Sequence, residues 1–241
     1  MSHKKYDHIL ANIETRIVDL GLGGKIIRLN ITNNINEIVD YEIKRGAKTI
    51  IAVGNDQTIN HVINSIANCQ EVPLGIIPIG KENNNIANAL GINTEETACE
   101  ILSARRISCL DVGLANNTYF LSHVSSNNQE TILEISQNYS VETTGKGEIK
   151  IINLLPYNEN LPFKTKINPQ DGILELFIKT TTTKKLFFKE VGHSFFQIKK
   201  IIIKNKKFPI ILDGCRSIKS PVEISLLRKK LNIIVGRNRN F

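Results

Sequence analysis

The sequence predicts an α/β protein, with an open parallel sheet in an N-terminal domain and a β-rich, mainly antiparallel second domain. Three observations indicate this. Short apolar runs alternate with helical patterns over residues 1–113, short β-rich runs dominate residues 114–241, and the charge changes between the two. The first part holds 11 Lys and Arg against 13 Asp and Glu, whereas the second holds 20 against 10. We therefore predict two domains, residues 1–113 and 114–241.

The N-terminal elements follow from hydrophobic periodicity and from the residues that end helices. Apolar residues at helical spacing predict helices over residues 7–20, 34–45, 58–68 and 94–104, with a helical turn at 86–90. Thr94 is the predicted N-cap of the fourth helix, and Thr97 stands where a capping box carries Glu. Apolar runs predict strands at 25–29, 48–53 and 72–79. The second and third runs are typical of strands buried on both faces of a parallel sheet.

The second domain is predicted from short β-rich runs separated by turn residues. Such a series is typical of an antiparallel sandwich or barrel. Within it, only residues 129–138 and 184–192 have a helical pattern. Phe187, Phe188, Phe195 and Phe196 are predicted as core residues, with the lining of an acyl pocket as the alternative.

Composition restricts the class of protein. No apolar run is long enough for a membrane-spanning helix, and the N-terminus lacks the pattern of a secretory signal, so a cytoplasmic protein is expected. Four scattered cysteines indicate reduced, mostly buried thiols rather than zinc ligands or disulfides. The basic second half indicates a polyanionic neighbour, with a solvated basic surface as the alternative. No aromatic-interleaved basic motif is present, so no nucleic acid partner is expected. Exposed strand edges would permit a homodimer.

The stretch VGNDQTINHVIN places a polar turn between a predicted strand and a predicted helix. This is where a doubly wound fold binds a phosphate, because the helix N-terminus offers backbone N–H groups and a positive dipole end. His61, further along the helix, is predicted to lie on the surface.

This stretch, with the later PLGIIPIG and NNIANALGI, resembles the catalytic domain of the diacylglycerol kinase and bacterial lipid kinase family, which carries a GGDGT turn and a PLGIIPLGTGNDFAR segment. In the second half, INPQDGILELFIK resembles the family's DDGLLDV strand, and FPIILDG resembles the segment with its catalytic DGE. The resemblance implies an NAD-kinase/diacylglycerol-kinase-like fold. It also implies transfer of the ATP γ-phosphoryl group, with Mg²⁺, to a lipid hydroxyl that enters between the domains.

Matching the motifs residue by residue implies a site. The nucleotide-binding residues would be Gly54, Asn55, Asp56, Gln57, Thr58, Gly80, Lys81, Asn84 and Asn85. Asp56 would help to hold the metal, and Asp213 and Cys215 occupy the catalytic segment, with Cys215 in place of the family's glutamate. The basic second half would suit an acidic lipid surface, so peripheral attachment to a membrane is implied.

The site departs from the family pattern at several positions. Asn55 and Gln57 replace glycines, and Gln57 would lose about 1–2 kcal/mol in a left-handed conformation and would obstruct a phosphate. The alternative is that the Gln57 side-chain amide donates a hydrogen bond to a ligand oxygen. Lys81 is either a phosphate ligand or a solvated loop residue, and Asn85 is neutral where the family has Asp. Cys215 is expected to be a buried thiol, which is a poor general base.

Because these departures coincide at the site, we predict an ATP-dependent lipid phosphotransferase whose activity is impaired or lost. ATP and Mg²⁺ would be its cofactors if it is active, and it would need none otherwise. The alternative is a non-catalytic member of the family that binds a ligand, a lipid surface or a protein partner.

Overall fold

The computed structural model describes residues 4–29, 34–80, 82–135, 139–143, 145–157, 159–162, 164–184 and 188–241. The chain divides into two compact units. Unit 1 comprises Met1–Ser108 and Asn232–Asn240, and unit 2 comprises Cys109–Leu231 with Phe241. The division thus falls five residues before the predicted one, and a C-terminal segment assigned to the second domain lies in unit 1.

Unit 1 is built from parallel strands and helices. Its helices are α1 (Lys4–Asp19), α2 (Ile35–Lys44), α3 (Asp56–Ile66), α4 (Asn85–Ala89) and α5 (Glu95–Ala104). Strands β1 (Ile50–Gly54) and β2 (Leu74–Pro78) pair in parallel, and Ile233 of the returning segment pairs in parallel with Leu74. This arrangement confirms the predicted parallel sheet.

The two strands differ in burial. All five residues of β2 are buried, as predicted, whereas Ile51 and Val53 of β1 are 39% and 38% exposed. The prediction that β1 is buried on both faces was therefore wrong. A run of apolar residues does not show which face a neighbouring element covers.

Two glycines hold the returning segment of unit 1, residues 232–240, against the end of α4. Gly91 has φ +77°, and a Cβ there would lie 2.9 Å from the Arg239 backbone nitrogen. A Cβ on Gly236 would lie 2.8 Å from the Gly91 carbonyl carbon. The Gly236 and Asn240 amides donate to the carbonyls of Leu90 and Ala89, both at 2.9 Å. The close approach of the two backbones requires glycine at both positions.

Unit 2 consists of antiparallel strands, as predicted. They are β3 (Ile107–Ala115), β4 (Thr118–Phe120), β5 (His123–Asn127), β6 (Thr131–Ile135), β7 (Tyr139–Thr143), β8 (Lys146–Ile152), β9 (Leu174–Lys184), β10 (Phe188–Ile198), β11 (Lys200–Asn205), β12 (Ile210–Leu212), β13 (Arg216–Ile218) and β14 (Val222–Ile234). One sheet has the strand order β10-β9-β8-β5-β12-β13, and the other contains β14-β11-β6-β7. Buried side chains of both sheets form one core, which includes Val124, Leu133, Leu176 and Ile224.

Three sequence predictions of secondary structure were wrong. The strand expected at residues 25–29 is absent from the described structure there. The helix expected at residues 129–138 is replaced over Thr131–Ile135 by strand β6, which pairs with β11 and β7. Residues 188–192 of the last expected helix belong to strand β10. A short apolar run fits both the helical and the strand periodicity, so pairing with neighbouring strands determines which structure forms.

The capping box at α5 is confirmed. The Thr94 hydroxyl accepts from the Thr97 amide at 3.2 Å, and the Thr97 hydroxyl accepts from the Thr94 amide at 3.2 Å.

The burial of cysteine and phenylalanine side chains was predicted in part. Cys99 is buried, but Cys69 and Cys109 are half-buried and Cys215 is exposed. The prediction that the thiols are mostly buried was therefore wrong. Phe195 packs on Phe177 with ring centroids 5.1 Å apart, whereas Phe196 is 39% exposed. The side chains of Phe187 and Phe188 lie outside the described residues. Within the described part of the chain, no helix combines the length and apolar character needed to cross a bilayer.

Candidate functional site

The polar turn after β1 forms the N-terminus of helix α3. Gly54 ends the strand with φ +156°, and a Cβ there would lie 2.8 Å from Thr58 Cβ. Asn55 is the N-cap, with φ −97° and ψ −175°, and its side-chain oxygen accepts from the Thr58 amide at 3.4 Å. The helix begins at Asp56, two residues earlier than predicted. Glycine is therefore required at position 54, because the Thr58 side chain closes over it.

This geometry corrects the expected strain at the turn. Asn55 has extended backbone angles, and Gln57 lies in the first turn of α3 rather than among the residues with positive φ. The 1–2 kcal/mol penalty predicted for Gln57 was therefore wrong, because no left-handed conformation is needed there. The Gln57 side chain is exposed. Whether it would obstruct a phosphate stays a prediction.

Asp56 connects the turn to the second candidate loop. Its side chain is only 3% exposed. One carboxylate oxygen accepts from the Asn85 backbone amide at 2.9 Å and from the Asn85 side-chain amide at 3.3 Å, and the other accepts from the Ile86 amide at 3.0 Å. The Asp56 amide donates to the Asn83 carbonyl at 2.7 Å. The carboxylate thus caps α4, a position that favours negative charge.

The second loop is organised by Asn84. Gly80 has φ +84°, and its carbonyl accepts from the Asn84 side-chain amide at 2.7 Å. The side-chain oxygen of Asn84 is buried and has no hydrogen-bond partner among the described residues. Asn85 is the first residue of α4. It is exposed to solvent, although its backbone and side-chain amides donate to Asp56. Lys81, predicted as a phosphate ligand or a solvated lysine, lies outside the described residues.

Hydrogen bonds within the protein already engage the carboxylate predicted to hold magnesium, Asp56. A carboxylate has about four acceptor positions, and hydrogen bonds from Asn85 and Ile86 use three of those on Asp56. Asn85 is neutral, and Mg²⁺ is usually held by one or two carboxylates together with substrate phosphates. Over the described residues, no group of three His, Cys, Asp or Glu side chains is placed to hold a metal. The metal-binding role of Asp56 stays a prediction.

Asp213 lies in unit 2, in the tight turn between β12 and β13. Asp213 and Gly214 have φ values of +48° and +67°, and the Cys215 amide donates to the Leu212 carbonyl at 3.0 Å. Two successive positive φ values are typical of the turns that join hairpin strands. The 5% exposed carboxylate accepts from the amides of residues 121, 122 and 123 at 3.0, 2.7 and 3.0 Å. Asp213 therefore anchors the beginning of β5.

Cys215 is exposed at the tip of the same hairpin. The expectation of a buried thiol was therefore wrong. The residue predicted to stand in place of the family's glutamate is thus an accessible thiol, next to Arg216 in the sequence.

Two titratable groups of unit 2, the half-buried His123 and the buried Glu175, were not predicted as functional residues. Burial lowers the pKa of His123, against a smaller opposing effect of the Asp213 carboxylate. Burial, together with a smaller effect of the negative charge of Asp171, raises the pKa of Glu175 to about 7. His61, in contrast, is exposed as predicted.

One signal in the sequence could have identified the cap of α3. Asn55 lies three residues before Thr58, and an Asn directly before a helical pattern is a common N-cap. The partners of Asp56 and Asp213 are backbone amides, so no pattern of side chains reveals them.

Comparison with known proteins finds sequence similarity over most of unit 1. Residues 2–115 match the model of the diacylglycerol kinase catalytic domain. A diacylglycerol kinase of Bacillus subtilis is 40% identical over 76 residues, which is 30% of this chain and 25% of that protein. Among the curated relatives, the matched part spans 24% to 47% of the relative's own length.

Solved structures extend the similarity in fold to nearly the whole chain. A diacylglycerol kinase from Bacillus anthracis superposes with a TM-score of 0.74 at 19% identity, covering 95% of this chain and 92% of that one. An NAD kinase from Archaeoglobus fulgidus in complex with ATP superposes with a TM-score of 0.51 at 13% identity, covering 98% and 92%. The predicted NAD-kinase/diacylglycerol-kinase-like fold is confirmed, and residues 2–115 are similar in sequence to the diacylglycerol kinase catalytic domain.

Proposed function

We propose that this chain is a diacylglycerol kinase family protein in which phosphoryl transfer from ATP to a lipid is impaired or lost, while the fold is kept as a binding scaffold. One observation carries the proposal. The groups that would face a triphosphate or a metal in the family are used in hydrogen bonds within the protein.

The N-terminus of α3 is the first part of this argument. A helix N-terminus binds phosphate through backbone N–H groups that have no partner in the helix. Here the Asp56 amide donates to Asn83, and the Thr58 amide donates to the Asn55 side chain. The oxygen of Asn55 thus occupies a position that a phosphate oxygen would otherwise take. A phosphate would have to displace this cap before it could bind.

The catalytic segment is the second part. Proton abstraction from a lipid hydroxyl needs a base with a suitable pKa that is placed to accept the proton. Position 215 supplies a thiol, and the Asp213 carboxylate is engaged by three backbone amides. Releasing Asp213 for catalysis would leave buried donors without partners, which costs about 1–3 kcal/mol for each group.

Two features support binding without transfer. The buried Asn84 oxygen lacks a partner among the described residues, and a hydroxyl or amine of a ligand would satisfy it. The net charge of +10 over residues 114–241 favours an acidic lipid surface as the partner. We place the protein in the cytoplasm, with peripheral attachment to the membrane.

The experiment compares the natural chain with variants that restore the family residues. Melting temperature with and without millimolar Mg·ATP measures nucleotide binding, since a ligand specific for the folded state stabilises it. Transfer of labelled phosphate to diacylglycerol in mixed micelles measures activity. We expect neither response from the natural chain, nucleotide stabilisation from Asn55→Gly with Gln57→Gly, and detectable transfer only when Cys215→Glu is added.

Asn34→Gly is the matched control. Asn34 is the N-cap of α2 and accepts from the Asn36 amide at 3.1 Å, so the variant removes an equivalent cap elsewhere in unit 1. It should leave the response to nucleotide unchanged. Phosphorylation of diacylglycerol by the natural chain at a rate typical of kinases, about 1–100 per second, would refute the proposal.

A further inference from the structure

Unit 1 contains a pocket in addition to the turn at Gly54. It has a volume of about 300 Å³, at the lower end of the range for small-molecule sites. Its polar lining consists of Asn93, Thr97, Glu100, Arg106, Arg237 and Asn238. None of these residues belongs to the turn or loop described above.

The backbone around this pocket is fixed by direct contacts. The Val235 amide donates to the Arg106 carbonyl at 2.9 Å, and the next residue, Gly236, donates to Leu90. The contact between Gly91 and Gly236 holds the same two segments together. Arg106 and Arg237 are therefore brought to one pocket by the backbone, although they are 131 positions apart in the chain.

The charges in the pocket are unbalanced. Glu100 accepts from Arg16 of α1 at 2.9 Å, so its charge already has a partner. Among the ion pairs of the described residues, none includes Arg106 or Arg237. Two guanidinium groups thus line the pocket with no ion pair among the described residues, while the one carboxylate of the lining, Glu100, is paired with Arg16.

We propose that this pocket binds a phosphate monoester, with Arg106 and Arg237 as its cationic ligands. A phosphate monoester carries close to two negative charges at neutral pH, which matches two guanidinium groups, whereas a carboxylate carries one. The side-chain amides of Asn93 and Asn238 supply neutral donors. The ester belongs either to a soluble metabolite or to a lipid headgroup, since both present the same chemical group.

The test uses the full chain and two probes. Glycerol 3-phosphate represents the soluble source and is titrated by calorimetry. Vesicles of phosphatidylcholine with phosphatidic acid represent the lipid source and are tested by co-sedimentation against vesicles of phosphatidylcholine alone. We expect saturable binding of at least one probe, weakened about tenfold or more by Arg106→Gln and by Arg237→Gln. The probe that binds identifies the source.

Arg28→Gln is the matched control, because Arg28 is an exposed arginine of unit 1 outside this pocket. It should leave binding unchanged. An equal loss in Arg28→Gln would indicate unspecific attraction to positive charge and would overturn the proposal, as would the absence of saturable binding of both probes. Arg237 is exposed, so its variant should fold even if Arg106→Gln does not, and circular dichroism checks this.

Discussion

Glu175 should make the stability of this protein depend on pH in an unusual direction. The residue is 1% exposed on β9, and one carboxylate oxygen is buried with no hydrogen-bond partner among the described residues. Burial and the nearby Asp171 charge raise its pKa from 4.5 to about 7. The folded state therefore holds this proton more tightly than the unfolded state does. The resulting stability is fully present below about pH 4.5 and is lost as the pH rises through about 7.

The size of the effect follows from the two pKa values. Between about pH 5 and about pH 8, linkage predicts a loss of about 2.5 kcal/mol in the free energy of unfolding. For a chain of this length, that corresponds to a decrease of about 5–10 °C in melting temperature. Glu175→Gln keeps the shape of the protonated side chain but does not titrate. The variant should match the natural chain near pH 5 and exceed it by this amount near pH 8.

The assay is thermal unfolding followed by circular dichroism across this pH range. His123 titrates in the same range with the opposite sign, because burial lowers its pKa and its contribution is lost as the pH falls below about 6.5. This contribution is present in both proteins and cancels in their difference. Glu142→Gln, at an exposed position of β7, is the control and should show no such difference. An equal gap between Glu175→Gln and the natural chain at both pH values would refute the reasoning.

The remaining predictions concern contacts within each unit that stabilise its fold. Asp213→Ala should lower the free energy of unfolding by about 3 kcal/mol, measured by urea denaturation, because three backbone amides lose their acceptor. Gly91→Ala should cost about 1–3 kcal/mol in the same assay, since φ is +77° and the new Cβ would press on Arg239. Thr94→Ala should cost about 1 kcal/mol through loss of the capping box and should slightly lower the helical circular dichroism signal.

The sequence predicted correctly those elements that depend on residues close together in the chain. The capping box at Thr94 and the buried strand β2 were predicted because a threonine pair and a continuous apolar run are short-range signals. Strand β6 was missed because Thr131–Ile135 is too short to fix a period, and pairing with β11 and β7 decides its structure. Pairing between residues distant in sequence is not encoded in either segment alone.

The resemblance to the family pointed to candidate site residues but did not reveal their hydrogen-bond partners. The motifs marked Asp56 and Asp213 as candidate site residues, and their roles in binding or catalysis stay predictions. The structure shows that both carboxylates bind backbone amides of other segments. The resemblance to a glycine-rich turn also favoured a left-handed backbone at Gln57, whereas Asn55 starts the helix in an ordinary conformation. In the motif, the helix-capping Asn55 stands where the family has a glycine that leaves room for a ligand. The sequence alone does not show which of the two functions the position has, whereas the backbone angles of Asn55 do.

Because residues 232–240 belong to unit 1, that unit cannot finish folding until the end of this segment has been synthesised. The partners of Leu74, Ala89 and Leu90 are Ile233, Asn240 and Gly236, which leave the ribosome after residues 109–231 of unit 2. Unit 1 is thus begun before residues 109–231 are translated but completed only after them. Until then, one edge of β2 and the end of α4 lack the partners that residues 232–240 provide. Stalled or truncated chains that stop before residue 232 should be the forms that proteases and chaperones recognise.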